Sequence, residues 1–184
     1  MKINRATGLL DTANYIASPN CDDRPAGTDI DLLVVHNISL PPGEYGGPHV
    51  DALFTNQLDP NIHPYFRTVA DRKVSAHAFI RRDGSITQYV PFHRRAWHAG
   101  ESCFEQRLRC NDFSIGIELE GSDETPYEAA QYQALAELIR ALLTAYPMLS
   151  TQRMVGHSDI APGRKTDPGP AFDWQRLRGL LVNP

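Results

Sequence analysis

The sequence predicts an α/β protein, a mixed β-sheet flanked by α-helices, folded as a single domain over residues 1–184. Three observations carry this. Short apolar runs of strand length, LLVVH at 32–36, SIGIELE at 114–120 and RMVGH at 153–157, are separated by hairpin or helical stretches. One long stretch, residues 125–146, repeats its apolar side chains at helical spacing. The chain has 184 residues, 41% of them hydrophobic, which is enough for one core and too apolar for disorder.

Residues 1–30 read as a polar lead-in, with Pro19, Pro25 and Gly27 marking a surface loop. Leu32–His36 is rich in β-branched residues and reads as a buried strand with His36 at its end. The turn-forming SLPPGEYGGP follows. Val50, Leu53 and Phe54 share one face of a short helix, and LDPNIHPYF then forms a long loop suited to wall a cleft. Two alternating runs around Asp83-Gly84 predict a hairpin, with His77 packed in its first strand. RRAWHAGESCFEQRLRCND reads as irregular. In SIGIELE, Ile115, Ile117 and Leu119 fall on one face and Gly116, Glu118 and Glu120 on the other. Thr125 as N-cap, Pro126 at the first position and Glu128 closing a capping box predict a helix over 125–146, ended by Pro147. Trp174 and Leu177 to Leu181 predict a final short helix.

The formal net charge of −4 leaves no basic footprint for nucleic acid. No apolar run reaches the ~18 residues of a membrane span, so no membrane partner is expected. The first twenty residues break every apolar patch with polar ones, which predicts no export signal. Cys21, Cys103 and Cys110 are odd in number and lack C-x-x-C spacing, as expected of reduced thiols in a cytoplasmic protein.

The chemistry concentrates in VGHSDIAPGRKTDPGP, residues 155–170. So much proline and glycine makes a rigid loop, and such a loop can hold His157, Lys165 and Asp167 in place. If the strands ending at His36 and His157 lie side by side, both imidazoles can meet Asp167. Two histidines and a carboxylate with a fourth position free form a catalytic zinc site. Glu118, if partly buried, gains a pKa suited to a general base, and Lys165 can stabilise an oxyanion. Amide or ester hydrolysis is the matching reaction class. The bland alternatives are a capped turn carrying a solvated Lys165 and Asp167, and a Glu118 on a wet sheet face.

The runs LLVVHNISLPPGEYGGP, DPNIHPYF, VSAH, RRDGSITQYVPF, RAWHAG, CNDFSIGIELEG, GHSDIAP and RKTDPGPAFDW together resemble the AmpD-type amidases. These are a branch of the superfamily of zinc amidases and peptidoglycan recognition proteins. The resemblance spans Ser18 to Trp174 with the motifs in family order. It implies one zinc ion held by His36, His157 and Asp167, with Glu118 as base and Lys165 as transition-state stabiliser. It implies a small-molecule muropeptide substrate, cut between the anhydromuramyl lactyl group and L-Ala during peptidoglycan recycling by a monomer. Arg109 is similar to the residue that grips a stem-peptide carboxylate, with Lys73 assisting. Tyr65 and Trp97 would pack on the sugar, and Asn37 would hydrogen-bond the peptide. Against these stand a surface pair of Arg109 with Glu105 or Asp112, and a core role for Trp97. The sequence departs from the family at Ser158, Gly163 and Lys73, where Cys, Glu and Arg are common. Two other readings are an exported amidase acting on intact wall and a binding module without catalysis.

Overall fold

The computed structural model describes residues 1–182; Asn183 and Pro184, included in the single-domain reading, lie outside the described residues. In chain order the strands begin with β1 (Ile3–Asn4), β2 (Leu9–Leu10), β3 (Asn14–Tyr15), β4 (Cys21–Asp22) and β5 (Leu32–Ile38). Helix α1 (His49–Phe54), β6 (Ala78–Ile80), β7 (Ile86–Gln88), β8 (Arg95–Ala96), β9 (Cys103–Phe104), β10 (Arg107–Leu108) and β11 (Ser114–Glu120) follow. Helix α2 (Ala129–Ala145), β12 (Met154–Gly156), α3 (His157–Ile160) and α4 (Trp174–Val182) complete the chain.

The central sheet has the order β12-β5-β11-β6-β7-β3. Strands β12, β5, β11 and β6 run parallel, and β7 pairs antiparallel with β6 through the expected hairpin. Gly84 supplies the positive φ (+85°) that this turn requires. The expected α/β architecture, a mixed sheet with helices packed on it, is therefore the observed one.

Alternation along the parallel strands divides the molecule. Leu33 and Val35 of β5 and Ile115, Ile117 and Leu119 of β11 enter one core with Leu135, Ile139 and Leu142 of α2. Each such fully buried side chain contributes about 1.5–3 kcal/mol. Leu32 and Val34 enter a smaller cluster on the opposite face with Phe113 and Ile160. That face also carries His36 and Glu118, two residues short of the strand ends.

Several boundaries differ from expectation. Strand β5 continues past His36 to Ile38 because β11 pairs with it along its full length. His157 opens α3 instead of closing a strand. Helix α2 starts at Ala129, with Glu128 as N-cap and the Gln131 side chain accepting from the Glu128 backbone N–H at 3.0 Å. Residues 125–127 stay outside it because Tyr127 packs edge-on against Phe172 and donates its hydroxyl to the Pro168 carbonyl at 2.8 Å. The segment read as irregular holds β8 to β10. The lead-in supplies an edge strand, since β3 pairs with β7 and β4 with β8. The 125–127 difference is tertiary packing overriding a local signal. Among the described residues, no helix is long and apolar enough to cross a membrane.

Candidate metal centre and active site

Strand register brings the expected groups together. His36 and Glu118 are direct partners in the β5–β11 pairing, and β12 on the other side of β5 delivers the chain to His157. The loop after α3 then returns. Ser158 N–H donates to the Asp167 carbonyl at 3.0 Å, and Lys165 N–H to the Ala161 carbonyl at 3.0 Å. Gly156 lies so close beneath Pro168 that a Cβ would stand 2.7 Å from its Cδ. Asn37 Nδ2 donates to the Pro168 carbonyl at 3.1 Å and to Asp123 Oδ1 at 2.8 Å. Together with Tyr127 it anchors the turn that carries Asp167.

Three donor atoms converge. His36 Nδ1 and His157 Nδ1 are 2.9 Å apart, and each lies 3.1 Å from Asp167 Oδ2. His157 Nε2 faces the Ala99 carbonyl at 3.1 Å. A carbonyl only accepts, so that nitrogen carries the proton and Nδ1 presents a lone pair. Lone pairs of two imidazoles and a carboxylate aimed at one point repel unless a cation sits among them. The nitrogen and oxygen donors, with no thiolate, fit a small divalent ion bound by three side chains.

Burial sets the protonation states. It pushes the His36 imidazole down to about 4, against the pull of Asp167, so its ring is neutral near pH 7. Asp167 stays ionised, below the usual carboxyl range, although its burial acts to raise it. Glu118 goes the other way. Burial first, then the Asp167 charge, raises it well above an ordinary carboxyl, and Lys165 opposes this only in part. Glu118 Oε2 is buried with no hydrogen-bond partner among the described residues. Asp167 is thus not a solvated turn residue, nor does Glu118 stand on a wet sheet face, whereas Lys165 is half-buried.

A cleft of about 520 Å³ opens over the centre, lined by Glu118, His157, Lys165 and Asp167 together with Asn37, Tyr65 and Trp97. Two expected binding residues do not line it. Arg109 has a side chain 70% exposed and pairs with Asp112 at 3.3 Å, which is the surface-pair alternative. It reaches the cleft wall only indirectly, through Asp112–Arg95 and Arg95–Asp22 pairs to the Trp97 indole N–H, which donates to Asp22 Oδ1 at 3.1 Å. Lys73 is exposed outside the cleft, and its neighbour Arg72 lines the wall instead. Asn37 has its amide nitrogen engaged by Asp123 and Pro168, and its carbonyl oxygen has no hydrogen-bond partner among the described residues. Sequence reasoning gave His98, Tyr127 and Arg72 no positioning or binding role. His98 lay in the supposed irregular segment, although its place beside Trp97 in RAWHAG was the available signal.

The family model for N-acetylmuramoyl-L-alanine amidase matches residues 26–170. This chain belongs to that amidase family. It is 60% identical over 175 residues to the 1,6-anhydro-N-acetylmuramyl-L-alanine amidase AmpD of Citrobacter freundii, covering 95% of this chain and 93% of that protein. The crystal structure of a selenomethionine AmpD derivative superposes with a TM-score of 0.95 at 58% identity, covering 98% of this chain and 99% of that one. A complex of the Escherichia coli amidase AmiD with the substrate anhydro-N-acetylmuramic acid-L-Ala-D-γ-Glu-L-Lys aligns with a TM-score of 0.61 at 32% identity. It covers 85% of this chain and 60% of that one.

Proposed function

We propose that this amidase is a zinc enzyme that hydrolyses the bond between the 1,6-anhydro-N-acetylmuramyl lactyl group and L-Ala of muropeptides, serving cytoplasmic peptidoglycan recycling. The observation that carries the reading is the convergence of His36, His157 and Asp167 beside an unpartnered, raised Glu118. Near-full-length similarity to AmpD supports the substrate class. We assign the whole chain, residues 1–184, to one amidase domain acting as a monomer.

His36 Nδ1, His157 Nδ1 and an Asp167 oxygen would hold the zinc. When bound, zinc supplies Lewis acidity toward a water or a carbonyl oxygen. Glu118 accepts the proton that water loses as its oxygen bonds to the lactyl carbonyl carbon. A carboxyl with a raised pKa then returns that proton to the alanine nitrogen as the C–N bond breaks. Lys165 places a cation by the carbonyl oxygen as negative charge develops there. Tyr65 and Trp97 present flat apolar faces to the anhydrosugar. The free Asn37 carbonyl oxygen accepts from a peptide N–H. Arg109 and Lys73, outside the cleft wall, serve carboxylates at the outer end of a long stem.

The test combines metal analysis with product analysis on anhydromuropeptide and on intact wall. The wild type should carry one zinc and release anhydro-N-acetylmuramic acid from the soluble substrate. Asp167→Ala should lose zinc and activity together. Full zinc in that variant would remove Asp167 from the ligand set, and preference for intact wall would reject the recycling role.

A further inference from the structure

One buried histidine beside the centre has no role in the chemistry above. His98 lies between β8 and β9 and is 9% exposed. Its Nδ1 is 2.9 Å from His36 Nε2, with ring centroids 5.0 Å apart and planes at 81°. Its other nitrogen, Nε2, is 3.1 Å from Ser114 Oγ. The Ser114 hydroxyl donates to the Cys110 carbonyl at 2.6 Å. A hydroxyl has one proton, so toward His98 the same oxygen can only accept. His98 Nε2 therefore carries a proton, and its Nδ1 is a bare acceptor. His36 Nε2–H must be the donor to it. This direction of donation leaves His36 Nδ1 as a lone pair, aimed at His157 Nδ1 and Asp167 Oδ2.

We infer that His98 is a positioning residue that fixes the tautomer and ring orientation of the ligand His36, with Ser114 fixing His98 in turn. The fold is cut to hold it. A Cβ on Gly116 would lie 2.4–2.6 Å from three atoms of the His98 ring, closer than real contacts allow. The glycine two residues before Glu118 is thus the seat of that ring. The backbone is also pinned, since His98 N–H and Ala99 N–H donate to Asn111 Oδ1 at 3.1 and 2.8 Å. One short segment consequently orients both histidine ligands, His36 through the His98 ring and His157 through the Ala99 carbonyl. Such outer partners of a metal ligand typically change metal affinity by about 10–100-fold when removed.

The inference rests on the zinc reading, so its test has an arm that needs no metal. Nitrogen-15 NMR of the metal-free wild type should show His98 and His36 both protonated at Nε2. A proton on His98 Nδ1 overturns the assignment. Zinc affinity by chelator competition supplies the second arm. His98→Phe keeps the bulk and lacks the acceptor, and should bind zinc about 10–100-fold more weakly. His98→Asn, whose side-chain oxygen can take the place of Nδ1, should recover most of that loss. Gly116→Ala should reproduce the loss by displacing the ring. Wild-type affinity in His98→Phe, or no recovery in a folded His98→Asn, overturns the inference. If His98→Phe does not fold, the wild-type tautomers and the Asn variant still decide. A wild type that takes up no zinc would instead reject the zinc reading, with the tautomers tested independently.

Discussion

Replacing Glu118 by glutamine should slow turnover and, in the metal-free protein, raise stability. The residue is 9% exposed, one carboxyl oxygen has no partner, and Asp167 adds a like charge. Its folded pKa therefore lies well above the value of about 4.3 for an exposed glutamate. The folded chain holds this proton more tightly than the unfolded chain does. Stability consequently falls as pH rises from the unfolded value through the folded one, and the penalty is complete above it. Each unit of separation is worth ~1.4 kcal/mol. For a chain of this size ~1 kcal/mol moves the melting temperature by about 2–4 °C, so each unit amounts to roughly 3–5 °C. Glutamine is neutral throughout. Glu118→Gln should melt at nearly the wild-type temperature near pH 4, and its advantage should grow toward pH 8. Calorimetry of chelator-stripped proteins across that range measures this, and product analysis of the zinc-loaded pair should show turnover lower by roughly 10²-fold or more. An advantage that is absent at pH 8, or does not vary with pH, would refute a carboxyl strained by burial. Near-wild-type turnover with zinc retained would place the base elsewhere.

If Lys165 acts on the oxyanion as proposed, Lys165→Ala should bind zinc like the wild type while turnover falls by roughly 10²-fold; loss of zinc binding in that variant would make Lys165 a structural part of the centre. Tyr127→Phe removes the hydroxyl that anchors the Pro168 carbonyl and should cost about 0.5–1.5 kcal/mol in urea unfolding, with weaker zinc binding. Unchanged zinc affinity there would mean that Asn37 alone holds the Asp167 turn. Arg109→Ala should raise KM for longer acidic stems and leave a muramyl-L-Ala fragment unaffected. Equal loss on both would put Arg109 in the scaffold through its pair with Asp112.

Much of the site could be read from local chemistry. His36 ends an apolar run, and alternation alone puts Glu118 on the face opposite Ile115, Ile117 and Leu119. Proline and glycine around Lys165 and Asp167 mark a rigid loop, and the motif series pointed to the amidase family that comparison established. Other features depended on contacts remote in the chain. Parallel register made Glu118 the neighbour of His36, and β12 brought His157 to the same place. Tyr127, pulled to Pro168, moved the start of α2 to Ala129 although Thr125, Pro126 and Glu128 form a good local start. His98 was hidden because its role needs Gly116, Ser114 and His36 around one ring. Arg109 and Arg72 show the same limit in reverse, since residue type suits both for a carboxylate and only the fold decides which one lines the cleft. Periodicity and turn chemistry are properties of adjacent residues and survive in the sequence. Tautomer, burial and pKa come from neighbours that folding supplies, so the tertiary structure alone decides them.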